Sequence, residues 1–192
     1  MIKKYFKIKK GGFTLIEILV TVAIFTSIFS IISGLFLSAL KTQKRALASQ
    51  DLIKEASYIM EYMSRQLRMA QKSESDCVTG DRNYEILVDA ESNPNGVKFK
   101  NYNNQCWTFF LGEDAESGRL KVNKGVPTED DFLTSQNLEI IDFKIHLSGD
   151  EANDDKQPKL TLLFKIKGRG ERIENMPEII VQTTVSERNL DI

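Results

Sequence analysis

The chain has 192 residues, 41% of them hydrophobic and 28% charged, with a net charge of −1. That length accommodates one ordinary domain plus an anchor, and the charge balance argues against bulk electrostatic capture of nucleic acid. The balance is uneven along the chain. Lys3, Lys4, Lys7, Lys9 and Lys10 all precede Gly11, and without the first twelve residues 21 basic and 27 acidic side chains remain, a net of −6.

Residues 13–40 form an apolar run that carries one charge, Glu17. A secretory signal has an apolar core of only about 7–15 residues and a small-residue cleavage site on its far side. Here the uncharged stretch 18–40 is longer, and no A-x-A-like site follows it. A membrane-spanning helix needs about 20 apolar residues, which this run supplies. The lysines before it place the N-terminus in the cytoplasm and the bulk of the chain outside. Glu17 then costs about 2.5–3.5 kcal/mol on insertion scales. An intramembrane carboxylate requires a partner or an escape to the headgroups.

The residues around it read "KKGGFTLIE" (9–17). A basic leader ending in glycine, then Phe-Thr-Leu-x-Glu at the head of an apolar helix, resembles the type IV prepilins and the pseudopilins of type II secretion systems. The resemblance implies that a prepilin peptidase removes residues 1–12 by cutting between Gly12 and Phe13, and that the new amine of Phe13 is N-methylated. It implies that Glu17 faces the N-terminal amine of a neighbouring subunit in a filament of pilins or pseudopilins. An inner-membrane platform protein and its cytoplasmic ATPase drive assembly in that family. The expected location is the bacterial cytoplasmic membrane, single-pass, and then the pilus or pseudopilus. Many major pilins carry a proline where this chain has Gly34, a milder weak point.

From 41 to 72 there is no Gly or Pro, and Leu52, Ala56, Ile59, Met63, Leu67 and Ala70 recur at spacings of three and four. This predicts an amphipathic continuation of the helix over 41–72. The pattern fades at "KSESDCVTGDRN". Period-two stretches then predict strands at 84–89, 96–102, 105–112 and 118–123, with turns at "NPNG" and "GEDAESG" and a polar linker "KGVPTEDDF". Three longer strands follow as an antiparallel meander. Their inward faces are expected to be Ile141, Phe143, Ile145 and Leu147; Leu160, Leu162, Phe164 and Ile166; and Ile179, Val181, Thr183 and Val185. The expected fold is α+β, pilin-like: a long N-terminal helix, membrane-spanning over 13–40, and an antiparallel β-sheet head over 73–192. The ending "VQTTVSERNL" resembles minor pilins and J-like minor pseudopilins.

Cys77 and Cys106 both follow the apolar run; an exported chain with two cysteines suggests one disulfide, against two buried thiols. Enzymatic motifs are missing: there is no CxxC, GxSxG or P-loop, and the lone His146 falls on the polar side of its strand. "GDEANDD" gathers Asp150, Glu151, Asp154 and Asp155, weak calcium candidates that read better as a solvated hairpin tip; their spacing fits no EF-hand. No other cofactor is expected. Tyr102, Trp107, Phe109 and Phe110 surround Cys106, as a base-stacking surface or, better, as core packing. Three functions follow: a structural filament subunit that performs no chemistry, a tip module that captures DNA, surfaces or secreted substrates, and an anchored extracellular enzyme with no motif behind it.

Overall fold

The computed structural model describes residues 11–74, 76–112, 118–125, 130–150, 156–169 and 177–188. It has the expected α+β architecture: one long N-terminal helix, followed by antiparallel strands. Helix α1 spans Leu15–Arg68. The chain divides between Lys44 and Arg45 into two compact units.

In the first unit the helix is uncovered, with Phe25, Ile31, Leu35 and Phe36 among its exposed apolar side chains. It is long and apolar enough to cross a membrane by length and composition. Its hydroxyls fit that setting. Thr21 donates to the Ile18 carbonyl at 2.9 Å, and Thr26 and Ser27 donate to the Ala23 carbonyl at 3.0 and 2.8 Å. Hydroxyls bonded one turn back leave no polar hydrogen for lipid to strand.

In the second unit the helix buries one stripe: Leu52, Ala56, Ile59, Met63 and Leu67, with Ala70 just beyond. The opposite side is solvated and carries the Glu61–Arg65 pair at 2.7 Å. The helix stops at Arg68, four residues before the expected 72, because the head claims its last backbone groups. The Tyr84 hydroxyl donates to the Leu67 carbonyl at 2.7 Å. The Arg188 N–H donates to the Arg68 carbonyl at 3.0 Å, and the Gln71 N–H to the Lys100 carbonyl at 2.9 Å. Carbonyls left over at a helix end are thus satisfied by tertiary donors rather than by further turns.

The strands are β1 Ser73–Glu74, β2 Asp81–Arg82, β3 Tyr84–Val88, β4 Pro94–Lys100, β5 Cys106–Leu111, β6 Leu120–Asn123, β7 Asp130–Phe132, β8 Leu138–Ser148, β9 Lys159–Gly168 and β10 Glu178–Ser186. They form a two-stranded ribbon β1-β2, a five-stranded sheet β3-β4-β5-β6-β7 and a three-stranded sheet β10-β9-β8. All pairings are antiparallel. A single core joins the helix stripe to Phe99 and Phe109 of the larger sheet and to Phe143, Leu162 and Phe164 of the smaller. Phe143 and Phe164 stack at 4.5 Å between ring centres, and Tyr62 meets Phe109 edge-on at 6.1 Å. The sheets also join through backbone: the Ile140 N–H donates to the Gly118 carbonyl at 2.7 Å. Gly118 has φ +85°, and a Cβ there would lie 2.8 Å from the Ile140 carbonyl oxygen, so only glycine fits.

Four further expectations change. The first turn of the larger sheet lies at 89–93 rather than at "NPNG", because the Asp89 carboxylate accepts from the Glu91 and Asn93 N–H groups at 2.9 and 2.8 Å. Pro94 instead opens β4, a position where a strand tolerates proline. Strand β4 ends at Lys100, not 102, since the Asn101 side chain accepts from Asn103 and Gln105 N–H, both at 2.9 Å, and closes the hairpin. Part of the expected polar linker is β7, held to β6 by Lys124–Asp131 and Asn123–Asp130 contacts. Its Phe132 ring lies 3.6 Å beneath the Arg119 guanidinium. Finally, Ile141 does not face inward. The β8–β9 register slips between Ile140 and Asp142, so Leu138 and Ile140 are buried ahead of the bulge and Phe143 and Ile145 after it, while Ile141 is 45% exposed. The inward faces of β9 and β10 follow the alternation expected of them.

Candidate functional site

Residues 11–14 precede the helix without helical structure, and all four are exposed. Among the described residues, no atom beyond its chain neighbours lies within 4 Å of where a Gly12 Cβ would stand, and Phe13 is 78% exposed. The Gly12–Phe13 bond is therefore reachable backbone, free of helical hydrogen bonds and of a side chain on its leading residue. Residues 1–10, the rest of the expected leader, lie outside the described residues.

Thr14 begins the helix as its N-cap. Its hydroxyl oxygen accepts from the Glu17 N–H at 3.3 Å, and its own N–H donates to Glu17 Oε2 at 3.4 Å. The Thr14 hydroxyl lies 3.5 Å from the same oxygen. This is a reciprocal capping box, the arrangement that Thr-x-x-Glu favours. The signal for it in the sequence is the Thr-x-x-Glu spacing itself. The carboxylate also sits at the positive end of the helix macrodipole. Glu17 Oε1 takes no hydrogen bond among the described residues.

Cys77 and Cys106 are joined as a disulfide, with their Cα atoms 5.5 Å apart. Around Cys77 the chain is ordered by buried Ser73, whose oxygen accepts from the Cys77 and Val78 N–H groups, each at 3.1 Å. Ser73 donates to Asp76 Oδ1 at 2.7 Å, and Lys100 pairs with Asp76 Oδ2 at 2.9 Å. The Lys100 and Ser73 hydrogen bonds hold the Asp76 carboxyl down to about 2, from an ordinary 3.8. A carboxyl depressed on folding contributes stability above its unfolded pKa and loses that contribution as pH falls through its folded one. The Asp76 clamp is thus intact above about pH 4 and released towards pH 2. Carbon-detected NMR should place the Asp76 midpoint near 2, and Lys100→Met should move it upward. An unmoved midpoint would show that Lys100 is not the cause.

The remaining candidates are scattered. His146 is exposed and paired in register with Thr161. Asp150 accepts from the Asn83 N–H at 3.2 Å, while Glu151, Asp154 and Asp155 lie outside the described residues. Among the described residues no three His, Cys, Asp or Glu side chains are grouped to hold a metal ion. Of the aromatics near Cys106, Phe109 is fully buried, Trp107 packs against the core, Phe110 is half-buried and Tyr102 is exposed. They form no continuous stacking surface. Unforeseen in the sequence is a buried polar group where the Asn83 amide meets Glu187 and the Gln157 amide meets the Glu187 carbonyl. Burial raises the neighbouring Tyr84 hydroxyl pKa, with the Glu187 and Asp150 charges adding to the shift.

Residues 7–37 match the family model described as the prokaryotic N-terminal methylation motif. The match supports a place for the chain among the precursors of type IV pilins and pseudopilins, the substrates of prepilin peptidases. No curated protein and no solved structure matches the chain.

Proposed function

We propose that the chain is a minor pilin or minor pseudopilin: a structural filament subunit that catalyses no reaction. A prepilin peptidase cuts between Gly12 and Phe13 and the Phe13 amine is then methylated. The apolar segment 13–40, helical from Leu15, holds the mature chain in the cytoplasmic membrane, with the lysine-rich leader on the cytoplasmic side and the head outside. Assembly brings Glu17 of one subunit to the N-terminal amine of another, driven by a membrane platform and an ATPase outside this chain.

The observation that carries this reading is the methylation motif over residues 7–37, placed at the start of a helix whose apolar half is exposed among the described residues. Mass spectrometry of the chain recovered from cells with an active prepilin peptidase tests it. The expected N-terminus is Phe13, one methyl group heavier than the bare residue. Recovery with the leader attached overturns the proposal.

A further inference from the structure

We propose that the free edge of strand β10 docks an extended segment of another protein, which adds to the smaller sheet as one more antiparallel strand.

β10 is the outermost strand of the order β10-β9-β8. It is nine residues long and pairs with β9 without a break in register. Among the described residues the backbone of 178–186 makes hydrogen bonds to β9 alone. Alternate N–H and C=O groups therefore point away from the sheet, and a strand is the partner that satisfies such a row. The other edges are blunted. β7 is three residues long and carries Asp130 and Asp131. β3 is interrupted by a bulge at Leu87 and Val88. β8 is joined to the larger sheet through Ile140 and Gly118. Shortness, charge, bulges and cover are the devices that keep edges from pairing. β10 has none of them: 179–186 carries no charge and no proline, and Ile179, Ile180, Val181, Thr183, Thr184 and Val185 are β-branched.

The packing calls for the same occupant. On β9, Leu162, Phe164 and Ile166 are fully buried. Their register partners on β10, Thr183, Val181 and Ile179, are only half-buried. Cover over the inner face stops one strand short, and a strand with apolar residues at alternate positions completes it. A second copy does not fit. Antiparallel pairing of two β10 edges is two-fold about the sheet normal, which reverses the direction of the helix packed on that sheet. Chains anchored by those helices in one membrane, as the filament reading requires, cannot meet in this way. A two-fold axis along the strands keeps the helices parallel but sets the apolar row of one copy beside the polar row of the other.

Amide hydrogen exchange of the full-length chain in detergent micelles tests the proposal. The probe is a synthetic peptide of residues 159–168, the sequence that pairs with β10 on its other side; the control peptide carries Leu162→Pro and Phe164→Pro, which remove strand donors. In the free chain, β10 amides directed away from β9 are expected to exchange fast and those paired with β9 slowly. The probe should slow the fast set about tenfold, the scale of one net hydrogen bond, and the control should not. Thr183→Lys, a charge on the inner face of the edge, should abolish that slowing while the amides paired with β9 stay slow, which certifies the fold. Slow exchange throughout β10 without peptide, equal slowing by both peptides, no slowing by the probe, or full slowing in Thr183→Lys overturns the proposal. So does slowing that grows with protein concentration alone, which means that copies pair with each other. A leader retained in the mass spectrum sinks the filament reading and leaves the exchange result standing.

Discussion

Glu17→Ala is expected to leave the chain inserted and cleaved but absent from the filament. Insertion should improve, because removing a carboxylate from the apolar run relieves about 2.5–3.5 kcal/mol on insertion scales and alanine is the better helix former. The proposed cut falls between Gly12 and Phe13, which lie before the helix and are exposed. What the variant loses is the anion. Removing one partner of a desolvated charge pair costs about 2–5 kcal/mol, so the assembled fraction should fall about thirtyfold or more. Immunoblotting of sheared filaments against membranes, with the mature N-terminus confirmed on both, gives the ratio. An unchanged ratio would remove Glu17 from assembly and leave it as a helix cap alone.

Replacing Cys77 and Cys106 together by alanine should cost the head about 3–4 kcal/mol, the chain-entropy value for a loop of this length; the two cysteines are 29 residues apart. Small domains have only about 5–15 kcal/mol in total, so the effect is a large share of it. The bond ties the segment after the helix, a ribbon of two-residue strands and its turn, to the start of β5. Without it that segment keeps the Ser73 and Asp76 contacts and the Gln71–Lys100 bridge. The fold should therefore persist with a lowered denaturation midpoint. The single tryptophan, Trp107, adjoins Cys106 and reports the transition by fluorescence. An unchanged midpoint in the double variant would show that these contacts suffice without the bond.

The parts of the fold that the sequence made legible are those governed by a local period. The stripe from Leu52 to Ala70 is a helix face because its spacing allows no other burial, and all six residues are buried. Strand β9 alternates without interruption, and Leu160, Leu162, Phe164 and Ile166 are all inward. Illegible were features decided by distant residues. Helix α1 ends where Tyr84 and Arg188, far along the chain, reach its carbonyls. Strand β7 reads as an acidic linker and becomes a strand only because Arg119 and Lys124 stand beside it. The bulge at Ile141 reverses the facing of half of β8, and a run of isoleucines, Ile140 and Ile141, offers no clue to which of them turns out. At the candidate site the balance is different. Gly12, Phe13 and Glu17 announce themselves by fixed offsets beside an apolar run, whereas Thr14 is an ordinary residue until its hydrogen bonds are seen.

The closure of helix α1 has a mechanical meaning. Leu67 is bound by Tyr84 of the larger sheet, Arg68 by Arg188 just past the last strand of the smaller one, and Gln71 by Lys100 of β4. Tension applied through the helix would not arrive at a single frayed turn. It would be shared among three anchorages, on β3, on β4 and just past β10, so that no one hydrogen bond has to carry it and the head resists being peeled from its own stem.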